Sequence, residues 1–379
     1  MQNCHVNDRL ITSGAEVTSG AEAMLFDPRP KERKEDLYDF ERELGELEKF
    51  VGEPLVVVSG LRRTGKTSLI LTALNELGEV YVYVDLREGA SSAAGIYKLL
   101  SRSFGETYRR LGGGVGELFR RVLSRVRGVS FMGLEVSLDW SPRGRPLLSE
   151  LFDALDELGE RLGRKVVVVL DEFQRARTGF GLALQNAVAH SYDFNRNVSF
   201  VLSGSEMGVL YGVLGNPEGP LYGRAYVEVR TRKLSAEESL DFLRRGFEEA
   251  GLEVEGRELE RAVNELDGII GWLTYYGYLR LRGKGSLEEI VSEATALARR
   301  ELEEFLSTRM SRRYRLVMRL LARGVKEWSE LKRELERAEG REVSDRALYE
   351  VLQHLKKHSL IDENNEYTDP VNRRAALEL

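Results

Sequence analysis

One stretch constrains this chain more than any other: Gly60-Leu61-Arg62-Arg63-Thr64-Gly65-Lys66-Thr67. It follows a short β-branched apolar run, residues 55–59, and opens a helical pattern over residues 66–77. Gly-x4-Gly-Lys-Thr between a buried strand and a helix is the Walker A pattern, and those flanks separate it from an ordinary Gly-rich turn. Glycines let backbone amides wrap phosphate oxygens, and the helix N-terminus adds the positive end of a dipole. On this reading Gly60 through Ser68 cradle ATP, Lys66 reaches the β and γ oxygens, and the Thr67 hydroxyl is a ligand of Mg2+. Arg62 and Arg63 leave two readings open: contact with phosphate, or the lining of a neighbouring surface.

A second acidic site belongs at the end of another strand, and Val166-Val-Val-Val-Leu170-Asp171-Glu172 supplies it. Asp171 is expected to hold Mg2+ through water, and Glu172 to orient and polarise the attacking water. Two acids after an apolar strand also suit a helix N-terminus; beside a Walker A loop the catalytic reading prevails. Residues 198–202 form a comparable run ending in Ser203-Gly204-Ser205. Ser203 is expected to be a γ-phosphate sensor, with a cap on the next helix as the alternative. The guanine-reading Asn-Lys-x-Asp pattern does not occur, so ATP is expected rather than GTP.

Further apolar runs at 80–85, 165–170, 198–203 and 226–229 alternate with helical patterns. A long helix through residue 108 breaks at Gly112-Gly113-Gly114, and an alternating segment over 129–138 reads as an inserted hairpin. Such alternation predicts a three-layer α/β unit around a parallel sheet, residues 24–232. Leu37, Phe40, Leu44, Leu47 and Phe50 predict a leading helix over 36–50, and residues 1–23 read as a flexible tail. Beyond the sheet, the capping box Ser235-x-x-Glu238 opens a helical lid, residues 233–308. Residues 309–379 offer three helices and a short extended pair around 360–368, the pattern of a winged helix.

At 379 residues the chain exceeds the roughly 250–300 at which one core stops growing, which agrees with several packed units. Its single cysteine, Cys4, excludes an internal disulfide and fits a reducing compartment. No apolar run approaches the ~20 residues needed to cross a bilayer, and the N-terminal segment lacks a secretory-signal layout. A cytoplasmic protein without membrane contact is therefore expected. The formal charge of −6 gives no global attraction to nucleic acid, so such binding would need a local basic surface.

Together with Leu25-Phe-Asp-Pro-Arg-Pro-Lys31, Leu202-Ser-Gly-Ser-Glu206, Pro220-Leu-Tyr-Gly-Arg224, Asp267-Gly-Ile-Ile-Gly-Trp-Leu273 and Asp369-Pro-Val371, these motifs resemble the predominantly archaeal P-loop ATPases of the AAA+ and STAND group. That group is related to archaeal origin-recognition initiators. The resemblance runs from residue 24 onward and implies a P-loop NTPase core, a helical lid and a C-terminal winged helix. It also implies an ATP-hydrolysing molecular switch. Arg224 is suggested as an arginine finger for a neighbouring subunit's γ-phosphate, hence an ATP-dependent homo-oligomer; a surface ion pair is the alternative. A winged helix implies double-stranded DNA or a protein partner. Arg346, Lys356, Lys357, Arg373 and Arg374 supply cations for phosphates, yet acids are about as frequent in this segment. Rival readings are an ATP-dependent signalling module with little turnover and a phosphotransferase.

Two departures stand out. Asp267 and Ile270 replace the first Gly and the Pro of the family's Gly-Gly-Ile-Pro-Gly lid motif, and Phe40 stands where relatives often carry Arg, unless Arg42 takes that role. Adenine recognition is therefore unassigned. Arg109, Arg110, Arg120, Arg121, Arg125 and Arg127 flank the triple glycine; their first reading is a solvated helix face, with nucleic-acid contact as the alternative. Trp272, Tyr275, Tyr276 and Tyr278 are expected as lid core.

Overall fold

The computed structural model describes residues 24–307 and 312–379. The tail expected over 1–23, with Cys4, and the lid boundary drawn at 308/309 lie outside the described residues.

Helix α1 (Glu41–Phe50) leads into β1 (Leu55–Ser59), α2 (Lys66–Glu76), β2 (Val80–Asp85) and α3 (Ala93–Leu111). After α4 (Gly113–Leu123) comes the hairpin β3 (Val129–Met132) and β4 (Glu135–Leu138). Then follow α5 (Leu148–Leu162), β5 (Val166–Asp171), α6 (Gly181–Phe194), β6 (Val198–Gly204), α7 (Met207–Leu214) and β7 (Val227–Arg230). Five strands pair in parallel in the order β2-β5-β6-β1-β7. Every residue of β1, β5 and β6 is buried, as the unbroken apolar runs require of strands covered on both faces. Along β1, Val57 faces the helices α3 to α6, whereas Val56 and Val58 face α1 and α2. That alternation makes the three layers and leaves one open side, the carboxyl ends of the strands.

The leading helix begins at Glu41, not at 36. Asp39 adopts φ 48 and Phe40 a non-helical φ/ψ, so residues 34–36 form only a separate 3-10 turn. The break at the triple glycine is sharp: Gly112 and Gly113 both have positive φ, and α4 restarts at Gly113.

The remainder is helical: α8 (Ala236–Glu249), α9 (Gly256–Leu266), α10 (Ile270–Leu281), α11 (Leu287–Ser307), α12 (Arg312–Ala322), α13 (Trp328–Glu339), α14 (Asp345–Lys357) and α15 (Pro370–Leu377). The predicted capping box at Ser235 and Glu238 forms and starts α8. The extended pair expected near 360–368 shrinks to one bridge, Ile361 with Tyr367. Chain that would have lengthened a wing instead enters α15, where Asp369 caps Val371 and Pro370 occupies the first turn. One continuous apolar core runs from α8 through α15, and Phe26 joins it by packing on Phe242 and Phe247.

Candidate functional site

At the carboxyl end of β1 the chain must turn sharply beneath β7. Gly60 has φ 153, and a Cβ there would meet the Thr231 hydroxyl at 2.1 Å, so no other residue fits. Thr64 Oγ1 is bonded to Leu61 O and to Thr231 Oγ1, each at 2.7 Å, which closes the loop on itself. Thr231 was not foreseen as loop support. Lys66, only 6% exposed, donates to Gly60 O at 3.0 Å and Leu61 O at 2.6 Å. Burial lowers its pKa to about 8, against the pull of Glu172 and Asp171. A buried ammonium resting on two loop carbonyls is a cation short of a strong anion, which is what the triphosphate reading requires. The Ser68 hydroxyl points elsewhere, accepting from the Lys31 amide at 3.0 Å.

Asp171 ends β5 opposite the start of α2. Thr67 Oγ1 donates to its Oδ2 at 3.2 Å, the Tyr83 hydroxyl donates to the same oxygen, and the Ser203 hydroxyl donates to Oδ1. Burial first, and then the Asp171 charge, push the Tyr83 phenol well above its ordinary pKa, so it stays a donor. One hydroxyl and one carboxylate are hard oxygen donors of the kind Mg2+ takes while keeping waters and phosphate oxygens as its other ligands. Among the described residues no cluster of three or more His, Cys, Asp or Glu offers a fuller protein cage. Glu172 adopts φ 55, a left-handed conformation uncommon for this residue, and accepts from Gln174 and from Ser205 at 2.8 Å.

The opposite wall comes from the helical half. Gly271 N donates to Arg63 O at 2.9 Å, and a Cβ on Gly271 would lie 2.6 Å from Arg63 Cβ, so this lid glycine permits the backbone approach. Arg63 stacks over Trp272 at 3.9 Å and pairs with Glu301 of α11 at 2.6 Å. Arg62 reaches Glu301 at 3.2 Å and Glu206 at 3.6 Å, and Glu206 meets His358 Nδ1, just beyond α14, at 2.9 Å. Burial raises both carboxyls' pKa values, but the cationic partners outweigh it and hold both below the ordinary value. Asp267 ends α9 with φ 49 and pairs with Lys233 at 2.5 Å. Between the two walls lies a cleft of about 750 Å³ whose apolar end includes Tyr38, Phe40, Phe242, Ile270 and Trp272. Phe40 lies 3.6 Å from the Cβ position of Gly65.

Three other expectations have definite places. Trp272 and Tyr276 are buried in the lid core. Arg224 is engaged within its own chain, with Asp193 at 2.5 Å and with the Pro220 carbonyl. The cations proposed for DNA are partly committed: Arg346 to Glu350 at 2.8 Å, Lys356 to Glu363 at 3.2 Å, and Arg373 to Ala322 O at 2.9 Å.

Residues 37–275 match the family described as an ATPase domain predominantly from Archaea. The chain belongs to this archaeal P-loop ATPase family. Residues 308–368 of the same chain match the C-terminal winged helix-turn-helix domain of MCM proteins. Among solved structures, a Walker-type ATPase of Pyrococcus abyssi, PABY2304, is 32% identical, covering 94% of this chain and 100% of its own, with a TM-score of 0.77. The ORC2 protein of Aeropyrum pernix, solved as ADPNP-ADP complexes, is 16% identical over 93% of this chain and 97% of its own, TM-score 0.59, and so shares the fold. Comparison with curated proteins gave no match. This member of the family hydrolyses ATP on an α/β P-loop core joined to a winged helix. Among the described residues no helix is long and apolar enough to cross a membrane.

Proposed function

We propose that this ATPase is a molecular switch in which the triphosphate sets the position of the winged helix. One observation carries the proposal: Arg62, inside the phosphate loop, pairs with Glu301 of α11 and with Glu206, the carboxylate that also holds His358 beyond α14. The end of α14 rests on α7, for a Cβ on Gly208 would lie 2.7 Å from Lys357 Cα. Phosphate oxygens compete for the guanidinium better than a carboxylate they displace, because they bring more negative charge to the same fork. Filling the loop therefore loosens the contact that seats the winged helix on the core.

In this reading ATP lies in the cleft with its phosphates on the loop amides, Lys66 and, once freed, Arg62 and Arg63. Mg2+, when bound by Thr67 Oγ1 and Asp171, supplies charge neutralisation at the β and γ oxygens. Glu172 takes the proton of the attacking water, and Ser203, bonded to Asp171, reports the γ-phosphate. Arg224 leaves Asp193 to act as a finger in trans within an ATP-dependent homo-oligomer. The released winged helix engages double-stranded DNA or a protein partner. The ADPNP and ADP bound by the Aeropyrum ORC2 relative support a nucleotide in this cleft.

Energy transfer between dyes at Glu160→Cys on α5 and Ser329→Cys on α13, in a Cys4→Ser background, tests the switch. A non-hydrolysable ATP analogue should change transfer in that protein and leave it unchanged after Lys66→Ala. Equal transfer with and without nucleotide, in a protein that calorimetry shows to bind it, would overturn the proposal.

A further inference from the structure

The insertion between β2 and β5 carries a feature that ATP chemistry leaves unused. Residues 109–147 hold eight arginines, no lysine and three acids, a net +5 within a chain of −6. Several of these arginines have structural work. Arg110 lies 3.4 Å over the Tyr81 ring, Arg125 pairs with Glu157 at 2.8 Å, and Arg145 lies over Phe180. Arg127 and Arg143 do not: both are exposed, and among the described residues neither has a carboxylate within ion-pair distance.

The fold brings these two together. Asp139 N donates to Gly128 O at 2.7 Å, and a Cβ on Gly128 would meet Gly144 O at 2.4 Å. Arg127, Trp140 and Arg143 each adjoin one of those three residues, so they branch from a single corner at the base of the hairpin. Trp140 is 59% exposed there. Asp139, the nearest acid, is occupied by the Ser141 amide at 2.8 Å. The corner therefore carries an exposed indole, which has a flat apolar face, and two exposed guanidinium groups without carboxylate partners, which are phosphate-binding forks.

We propose that this corner binds single-stranded nucleic acid, a base stacking on Trp140 while Arg127 and Arg143 hold the flanking phosphates. A single strand repeats a stackable base and a negative charge at every nucleotide, the two chemistries this corner exposes; a duplex hides its base faces. An anionic membrane fits less well. The outer face of the hairpin pairs Ser130 with Ser137 and Met132 with Glu135, and Ser130, Ser137 and Glu135 would lose water in an acyl layer. The site is separate from the winged helix.

The test is fluorescence anisotropy of a labelled oligo(dT) of about 15 nucleotides with the full-length protein, read across a salt series. Trp140→Ala should weaken binding roughly tenfold and Trp140→Phe should recover most of it, because stacking is worth about 1–3 kcal/mol per base. Arg127→Glu with Arg143→Glu should lower the slope of log affinity against log salt by about 1.4. Unchanged ATP turnover would confirm that the variants fold. Indole quenching by oligo(dT) in the wild type, diminished in Trp140→Phe, gives a second measurement with Trp272 and Trp328 still present. No oligo(dT) binding at low salt, equal oligo(dT) affinity across the variants, or a Trp140→Ala loss that is larger for duplex, phosphatidylserine vesicles or polyglutamate than for oligo(dT) would overturn the proposal.

Discussion

The two walls of the nucleotide cleft are built on different physical terms. The wall made by β2, β5, β6 and the start of α2 is buried and internally bonded: Asp171 alone receives hydroxyls from Thr67, Tyr83 and Ser203. The other wall comes from the helical half, whose Glu301 clasps Arg62 and Arg63 of the phosphate loop at a half-open surface where Arg62 is 40% exposed. Bonds of the first kind are costly to break, since a buried carboxylate left short of a donor forfeits about 1–3 kcal/mol or more. Exposed ion pairs contribute about 0–1 kcal/mol each. The core wall is thus preorganised for phosphoryl transfer, and the helical wall is an exchangeable clasp. Under the proposed switch, chemistry sits on the rigid side and signalling on the soft side.

If that division holds, the largest loss should come from the core wall. Glu172→Gln keeps the shape and removes the proton acceptor, so turnover by phosphate release should fall about 10²- to 10⁴-fold while ATP binding persists. The same variant separates the rival functions. A switch reset by hydrolysis should be trapped in the nucleotide-bound distance between α5 and α13, whereas a module that needs only binding should relax as the wild type does.

Tyr83→Phe probes the same wall more gently. Removing one donor from the Asp171 carboxylate should raise the Mg2+ concentration needed for half-maximal turnover by roughly tenfold, with ATP affinity in the absence of metal unchanged. A fall in turnover that excess Mg2+ does not recover would assign Tyr83 to packing alone.

Lys66 gives a pH signature. Burial lowers its pKa to about 8, so the free protein carries the ammonium below pH 8 and loses it above. A bound triphosphate favours the charged form and raises that pKa. Binding should therefore release or take up almost no proton at this lysine at pH 7 and take up close to one at pH 9, with affinity at pH 9 about tenfold weaker. Calorimetry in two buffers of different ionisation enthalpy measures the uptake; zero uptake at both pH values would place the ammonium outside the phosphate site.

The difference between the walls also decides what could be read from residues alone. The Walker A and Walker B stretches were legible because each is a local string with its own strand attached, and the buried runs of β1, β5 and β6 fixed the sheet around them. Ser203 was placed from its strand end alone. Tyr83 was not, although its position was available: β2 ends at Asp85, directly opposite Asp171 in register, and Tyr83 stands two residues before it on the same strand. Glu301, Glu206 and His358 left no local trace. Arg62 and Glu301 are 239 positions apart, and nothing in either neighbourhood names the other. Helix α15 had its signal in Asp369-Pro370, an N-cap followed by Pro at the first turn, although the extended pattern beside it suggested only a wing.

The smallest effect expected belongs to the clasp. Glu301→Gln keeps volume and removes the charge that holds Arg63 at 2.6 Å and Arg62 at 3.2 Å. Because these pairs are partly solvated, their loss should leave the melting temperature nearly unchanged. Both guanidinium groups then meet the triphosphate without first leaving a carboxylate, so ATP affinity should rise, by about three- to tenfold for one exchanged pair of this kind. Isothermal calorimetry with ATP at pH 7 and low salt measures it, and the gain should shrink as salt screens the pairs. Weaker binding instead would mean that Glu301 shapes the cleft for nucleotide rather than competing with it, and the helical wall would then be as preorganised as the core.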